Sequence, residues 1–377
     1  MNLKARMNST MTSLAKVERL MPREASPMDD LVTVTVQTPS GAFAFPCENG
    51  EALLHAGLRA GVSLPYECAT GTCGSCRGRL MTGDVDIGWE DSPALAKLKR
   101  EKGDILLCQT KAKSDCLVRV AAKIEQVSRE DAPGKLKGII FDSRKLTHDV
   151  IEFSVKLSRP MTFEAGQFAL ISTPSVTGAR AYSMVNYDAK TDRIVFLVKR
   201  KSGGGFCDWL FSAMVDGAEI DVYGPLGRAT FDTSEDKDLI IIAGGSGIAG
   251  MMAILERATR SNYFKSHMGH VFFGVPTLQD GFYLDELAKY VDKAQGGLNV
   301  TLALSNEPPP QASHPNYDGI QLASGFVHTA MASSMTGRYQ NALGYLAGPP
   351  PMVDAALRVL ISEGQLSPQA IRYDKFG

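Results

Sequence analysis

Four cysteines constrain this chain more than any other feature. Cys68, Cys73 and Cys76 lie in the run Pro-Tyr-Glu-Cys-Ala-Thr-Gly-Thr-Cys-Gly-Ser-Cys, a C-x4-C-x2-C spacing, and Cys108 follows alone in Ile-Leu-Leu-Cys-Gln-Thr. This is the spacing of a plant-type [2Fe–2S] cluster. Two irons and two sulfides need four thiolates converging on one small volume, so the loop that carries three of them must close tightly. Gly71 and Gly74 supply backbone freedom there. The small Thr72 and Ser75 let amide groups point at sulfur. A cluster held this way takes one electron at a time near about −400 mV.

Other cysteine chemistries fit less well. Zinc sites usually pair two C-x2–4-C knuckles, whereas Cys108 stands by itself. A Rieske centre needs two histidine ligands, and no histidine lies between His55 and His148. Seven cysteines in a chain of 377 residues do not read as a disulfide framework. Cys47, Cys116 and Cys207 read as reduced, buried thiols, which places the protein in the cytoplasm.

The length fits two or three domains. A net charge of −1 gives no basic excess for nucleic acid, and no apolar run reaches membrane-spanning length. Residues 1–30 carry five methionines and scattered basic residues but no continuous apolar segment. They read as a disordered leader, or as sequence upstream of a start at Met7, Met11 or Met28.

Short strands with turn residues cover 31–122, with a helix over Glu51–Ala60 and a second helix opening at Ser92-Pro93 and running to about Arg100. Residues 123–138 are polar, punctuated by Pro133-Gly134, and read as a linker. From Ile139 to about Phe231 the pattern is that of an antiparallel barrel or sandwich. From Asp238 strands alternate with helices, the mark of a parallel α/β sheet.

Two further constellations follow. The first strand of the α/β region runs into Ala-Gly-Gly-Ser-Gly-Ile-Ala-Gly at 243–250, which contains Gly245-x-Gly247-x-x-Gly250. Strand, glycine loop and helix together suit a dinucleotide pyrophosphate. The acid usual at the end of the next strand is absent, since that strand ends Phe273-Gly274-Val275-Pro276. The barrel region holds Arg180-Ala-Tyr182-Ser183, then Gly203-Gly-Gly-Phe-Cys207 before a short helix. An Arg can pair with phosphate, a Tyr can stack on a ring, and a glycine loop can hold pyrophosphate.

The order of these motifs, with Gly224-Pro-Leu-Gly227 and Ala347-Gly-Pro-Pro-Pro-Met352, resembles the ferredoxin–NAD(P)H reductase superfamily over residues 31–377. More narrowly it resembles single-chain reductase components of bacterial multicomponent oxygenases. Gly83-Asp-Val-Asp-Ile-Gly88, Gly325-Phe-Val-His328 and Tyr373-Asp-Lys-Phe-Gly377 are most similar to reductases of phenol hydroxylase and related soluble diiron monooxygenases.

The resemblance implies an α+β and α/β multidomain fold. Its parts would be a β-grasp ferredoxin domain (31–122), the linker, an antiparallel β-barrel FAD domain (139–234) and a parallel-sheet NAD domain (235–377). It implies cluster ligation by Cys68, Cys73, Cys76 and Cys108. Arg180 would contact flavin phosphate, Tyr182 would stack on the flavin and Ser183 would sit near its N5. Gly204, Gly205, Phe206 and Cys207 would cap the FAD pyrophosphate. Gly244, Gly245, Ser246 and Gly247, with Gly348 and Pro349, would border the nicotinamide nucleotide, and Phe376 would shield the other flavin face. Three positions depart from the family pattern: Cys207 stands where a Ser is frequent, Ala347 where a Cys is frequent, and Pro276 where NADH-using relatives carry Arg. Ser305-Asn306-Glu307 lacks the Arg that NADPH-using relatives place there; Asn306 and Glu307 would border the nucleotide, with Glu307 either repelling a 2′-phosphate and accepting a ribose hydroxyl or standing as a solvated loop charge, which implies NADH.

The implied route is NADH to FAD to [2Fe–2S] to an oxygenase component, with a soluble diiron hydroxylase as leading partner. Two rival readings are a reductase for a Rieske dioxygenase and a redox-sensing binding protein with a vestigial flavin site. The intact Arg-x-Tyr-Ser and Gly-Gly-Ser-Gly runs argue against the last.

Overall fold

The computed structural model describes residues 31–128, 132–201, 203–212 and 215–376, so the expected leader 1–30 lies outside the described residues. The N-terminal module contains β1 (Leu31–Thr38), β2 (Gly41–Glu48), α1 (Leu53–Arg59), β3 (Arg77–Thr82), β4 (Val85–Ile87), β5 (Asp104–Leu106), β6 (Thr110–Ala112) and β7 (Cys116–Arg119). Its main sheet has the order β2-β1-β7-β3-β5, and β4 pairs with β6 apart from it. β1 runs antiparallel to β2 and parallel to β7, so a crossover must join them, and α1 lies within it. Leu53, Leu54, Ala56 and Leu58 bury one side of α1. This is a β-grasp arrangement.

The middle module is built from β8 (Gly134–Lys145), β9 (Val150–Thr162), β10 (Phe168–Thr173), β11 (Val176–Ser183), β12 (Lys190–Lys199), α2 (Gly205–Ser212) and β13 (Glu219–Leu226). All pairings in the order β11-β10-β13-β8-β9-β12 are antiparallel. A bridge between Met184 and Phe196 joins the two edges, which curls the sheet into a barrel around Phe153, Phe196 and Phe206.

The C-terminal module alternates β14 (Asp238–Gly244), α3 (Ile248–Arg260), β15 (Gly269–Val275), α4 (Leu284–Ala294), β16 (Leu298–Leu304), β17 (Ile320–Ser324), α5 (Val327–Met335), β18 (Ala342–Gly348), α6 (Pro350–Ser362) and β19 (Ile371–Lys375). The sheet order is β17-β16-β15-β14-β18-β19, all parallel. Helices cover both faces, which is why Leu239–Ala243 is apolar without alternation. The chain reverses direction across the sheet between β14 and β18. Ligands of open α/β sheets bind at the carboxyl ends of such strands.

The modules are packed together, not merely tethered. Phe168, Leu170, Tyr223 and Leu226 of the barrel belong to the same buried cluster as Leu54, Leu107 and Cys76 of the N-terminal module. On the other side Tyr283 of the C-terminal module donates to Glu152 of β9 at 2.6 Å, and Arg257 of α3 donates to the Phe231 carbonyl at 2.6 Å.

Two local expectations change. The helix expected from Ser92 to Arg100 is instead a pair of 3₁₀ turns, Leu95–Lys97 and Arg100–Lys102, with Lys99 out of helical geometry between them. So short a segment gains little from propagation and follows its packing instead. Within the stretch 123–138, Gln126 bridges to Val62, Val127 donates to the Gly61 carbonyl, and β8 already begins at Gly134.

Candidate functional site

The cysteine loop follows α1 and closes because Gly71 (φ 89°) and Gly74 (φ 85°) adopt left-handed backbone, with Ala69 (φ 55°) beside them. A Cβ on Gly71 would lie 3.0 Å from the Gln109 side chain, next to Cys108, so the loop and the fourth cysteine are in close contact. Backbone N–H groups aim at sulfur: Thr70 and Cys73 each donate to Cys68 Sγ at 3.4 Å, and Ser75 donates to Cys73 Sγ at 3.5 Å. Cys76 and Cys108 Sγ are 3.2 Å apart.

All seven cysteines are free. The four in question form two thiol pairs. A hydrogen bond from Cys73 lowers the Cys68 pKa, and one from Cys108 lowers that of Cys76, while each donor is raised in turn. Yet no three of the four sulfurs lie mutually within 4.8 Å. A single tetrahedral zinc would bring all four to about 3.8 Å of one another, given its short bonds to sulfur. Two pairs set apart, with N–H donors on the sulfurs, fit a two-iron cluster, one pair to each iron.

The β10–β11 hairpin sets the middle of the site. Register places Arg180 opposite Ile171, Tyr182 opposite Ala169 and Ser183 opposite Phe168. Among the described residues the Arg180 guanidinium meets only the Ala179 carbonyl, at 3.1 Å, which leaves its charge free for a ligand. The Tyr182 ring packs 5.4 Å from Phe206 of α2, and burial raises its hydroxyl pKa, so it stays protonated. Cys207 donates its thiol to the Lys199 carbonyl at 3.7 Å. That engages the thiol with the chain, and the first-turn N–H groups of α2 remain for phosphate.

The β14 loop demands glycine for packing as well as for a ligand. A Cβ on Gly247 would sit 2.1 Å from the Ala347 carbonyl oxygen, and one on Gly250 3.3 Å from Ser183 Cβ. The first contact locks the loop to the end of β18. The second seats α3 directly on Ser183. Phe376 N–H donates to the Gly348 carbonyl at 3.2 Å, which ties the C-terminal segment to the same corner.

These elements surround one cleft of about 780 Å³. Cys68 and Cys73 line it from the first module, Arg180, Tyr182, Ser183, Gly204, Phe206 and Cys207 from the barrel, and Gly244, Gly245, Ser246, Pro349 and Phe376 from the third. Gly205, Gly247 and Gly348 are adjacent to that wall without lining it. Asn306 and Glu307 lie outside the lining, next to Ser305 at its edge, and Glu307 Oε1 accepts the Leu278 N–H at 2.6 Å. Lys201 joins Arg180 on the wall, as do Lys199 and Arg200, which pair with Asp149 at 3.1 Å and Asp208 at 3.8 Å.

The structure adds residues that the sequence reading missed. Trp89, 42% exposed, lines the cleft beside the cysteine loop, and so do Glu67 and Asp374. Burial, with Glu67 nearby, lifts the Asp374 carboxyl to about 6. Glu67 and Asp374 sit inside the motifs Pro-Tyr-Glu-Cys and Tyr373-Asp-Lys-Phe-Gly377, but their meeting across the cleft exists only in the folded chain.

Comparison with known proteins agrees with this geometry. The chain matches family models for a 2Fe-2S iron-sulfur cluster binding domain over residues 37–113, an oxidoreductase FAD-binding domain over 137–231 and an oxidoreductase NAD-binding domain over 241–358. It is similar to the ferredoxin–NAD(+) reductase component of the alkene monooxygenase system of Xanthobacter autotrophicus, with 33% identity over 88% of this chain and 98% of that one. It is similar to the reductase component of phenol 2-monooxygenase from a Pseudomonas species, with 30% identity over 91% of this chain and 94% of the relative. Among solved structures it resembles the ferredoxin reductase in carbazole 1,9a-dioxygenase, with TM-score 0.76 and 28% identity over 92% of this chain and 99% of that one.

Proposed function

This chain belongs to the family of iron–sulfur flavoprotein reductase components of bacterial oxygenase systems, and from that premise we propose that it carries electrons from NADH through FAD and a [2Fe–2S] cluster to a soluble diiron hydroxylase. The observation that carries the reading is the single cleft in which Cys73, Tyr182, Ser183, Gly245 and Pro349 share a wall. Bound flavin supplies the change in electron number, accepting two electrons from the nicotinamide and releasing them singly.

The chain's own residues orient. Arg180 and the first turn of α2 hold phosphate. Tyr182, braced by Phe206, would stack on a flavin ring, Phe376 would shield it, and the Ser183 hydroxyl would be its polar neighbour. Gly244 to Gly247 and Pro349 admit a nucleotide at the carboxyl ends of β14 and β18. Cys68 with Cys73, and Cys76 with Cys108, would hold the two irons of the cluster. Shared packing between the first module and the barrel fixes the cluster loop against the flavin side, so orientation is set before the nucleotide arrives.

Among the described residues no helix is long and apolar enough to cross a membrane. Seven free cysteines suit the reducing cytoplasm, where the proposal places the protein. Similarity to the carbazole dioxygenase reductase supports a second reading, delivery to a Rieske dioxygenase. The test is anaerobic titration of the purified protein with NADH. About two irons per chain and one FAD should be present, and NADH should bleach both chromophores. A protein that holds both groups and is not bleached by NADH is not this reductase.

A further inference from the structure

A second cavity, of about 900 Å³, lies wholly within the first module. Arg77, Arg79 and Arg119 line it, and so does Ser75, whose N–H bonds to Cys73 Sγ. The lining holds one carboxylate for these three arginines, the buried Asp104, which pairs with Arg77 and Arg79 at 2.8 Å each. The other lining residues are uncharged. Arg119 is exposed and has no ion pair or hydrogen bond from its guanidinium among the described residues.

Register makes this arrangement costly. Arg79 stands directly opposite Arg119 across β3 and β7, and like charges in that position destabilise a sheet. The module is also locked by its shared core with the barrel, and Cys68 and Cys73 face the flavin cleft. An electron-accepting protein therefore needs another approach, and the cavity reaches the cysteine loop at Ser75.

We propose that this arginine-lined cavity docks an acidic surface segment of the protein that receives electrons from the cluster. The proposal rests on the electron-transfer function above. The acceptor protein is reduced one electron at a time at the expense of NADH, and no bond is made or broken at the docking face. The acidic segment neutralises Arg119 and relieves its repulsion with Arg79. Such a rim contact governs association rate and salt dependence more than fold.

The test compares wild type with Arg119→Glu and Arg119→Lys in the FAD- and cluster-loaded protein. Two haem proteins of opposite charge serve as acceptors, acidic cytochrome b5 and basic cytochrome c. At low salt Arg119→Glu should lower kcat/KM for cytochrome b5 by about tenfold and remove its salt dependence, without lowering that for cytochrome c. Arg119→Lys should behave as wild type. Ferricyanide reduction should be equal in all three. In parallel, fluorescence anisotropy should show fluorescein-labelled hexaglutamate bound by wild type and by Arg119→Lys but not by Arg119→Glu. Equal losses on both haem proteins, or equal hexaglutamate binding by Arg119→Glu, would overturn the docking site. Wild type that binds hexaglutamate yet reduces neither haem protein would keep the anionic site and sink the electron-transfer reading instead.

Discussion

The rings of His55 and Tyr223 stack with centroids 4.0 Å apart, and the Tyr223 hydroxyl donates to the His55 carbonyl at 2.9 Å. One residue belongs to the cluster-bearing module and the other to the flavin barrel, so this contact helps hold the two redox sites in one arrangement. Among the described residues His55 Nε2 is buried without a hydrogen-bond partner.

That burial predicts a pH dependence. It lowers the His55 pKa to about 4, against a smaller opposing pull from Glu51. The folded chain keeps the ring neutral, while the unfolded chain protonates it first as pH falls. Stability from this site is therefore complete above about pH 6.5 and is lost toward pH 4, at up to about 1.4 kcal/mol per pH unit. Urea unfolding at pH 7.5 and pH 5 should show a larger loss for wild type than for His55→Phe. Parallel losses would remove His55 as the cause.

Gly247→Ala tests the β14 loop. The added Cβ would fall 2.1 Å from a backbone carbonyl that cannot rotate away, so the loop must shift. Because the glycine loop admits the nucleotide, KM for NADH in ferricyanide reduction should rise about tenfold or more while FAD content is unchanged. An unchanged KM in a folded variant would take this loop out of the nucleotide site.

Arg180→Ala should weaken FAD retention by about 1.5–3 kcal/mol, the range for a hydrogen bond to a charged group. Among the described residues the Arg180 guanidinium hydrogen-bonds only its neighbour's carbonyl, so truncation breaks no ion pair there and stability should hold. Equilibrium dialysis of FAD against the variant gives the answer, and unchanged affinity would exclude Arg180.

Cofactor choice should favour NADH over NADPH. Arg257 and Arg260, the two cations on the helix that follows the β14 loop, are engaged elsewhere: Arg257 with Glu164 and the Phe231 carbonyl, Arg260 with Asp188 and Glu256. Neither is free for a 2′-phosphate. Steady-state kcat/KM with both cofactors tests this, and equal values would contradict it. Asn306→Arg with Glu307→Gln should move the preference toward NADPH.

Much of the site was legible because its motifs are local. Cysteine spacing, the glycine loop after β14 and Arg180-x-Tyr182-Ser183 each encode a turn or a strand register within a few residues. What could not be read depends on tertiary contact. Asp374 meets the Glu67 loop from the far end of the chain, and the Arg79–Arg119 juxtaposition exists only through the β3–β7 register. The segment after Ser92 has the look of a helix start, but the two turns that form there follow packing over propensity. Glu307 reads either as an acid for a ribose hydroxyl or as a solvated loop charge, and only the fold shows its carboxylate accepting the Leu278 N–H.

The order of electron flow is tested most directly by Cys108→Ser, measured with two acceptors in the FAD-replete variant. Ferricyanide can take electrons from flavin, whereas cytochrome c reduction depends on the cluster. We expect ferricyanide reduction by NADH at the wild-type level and cytochrome c reduction abolished. Loss of both activities in a folded variant, or survival of cytochrome c reduction, would contradict the route from NADH through FAD to the cluster.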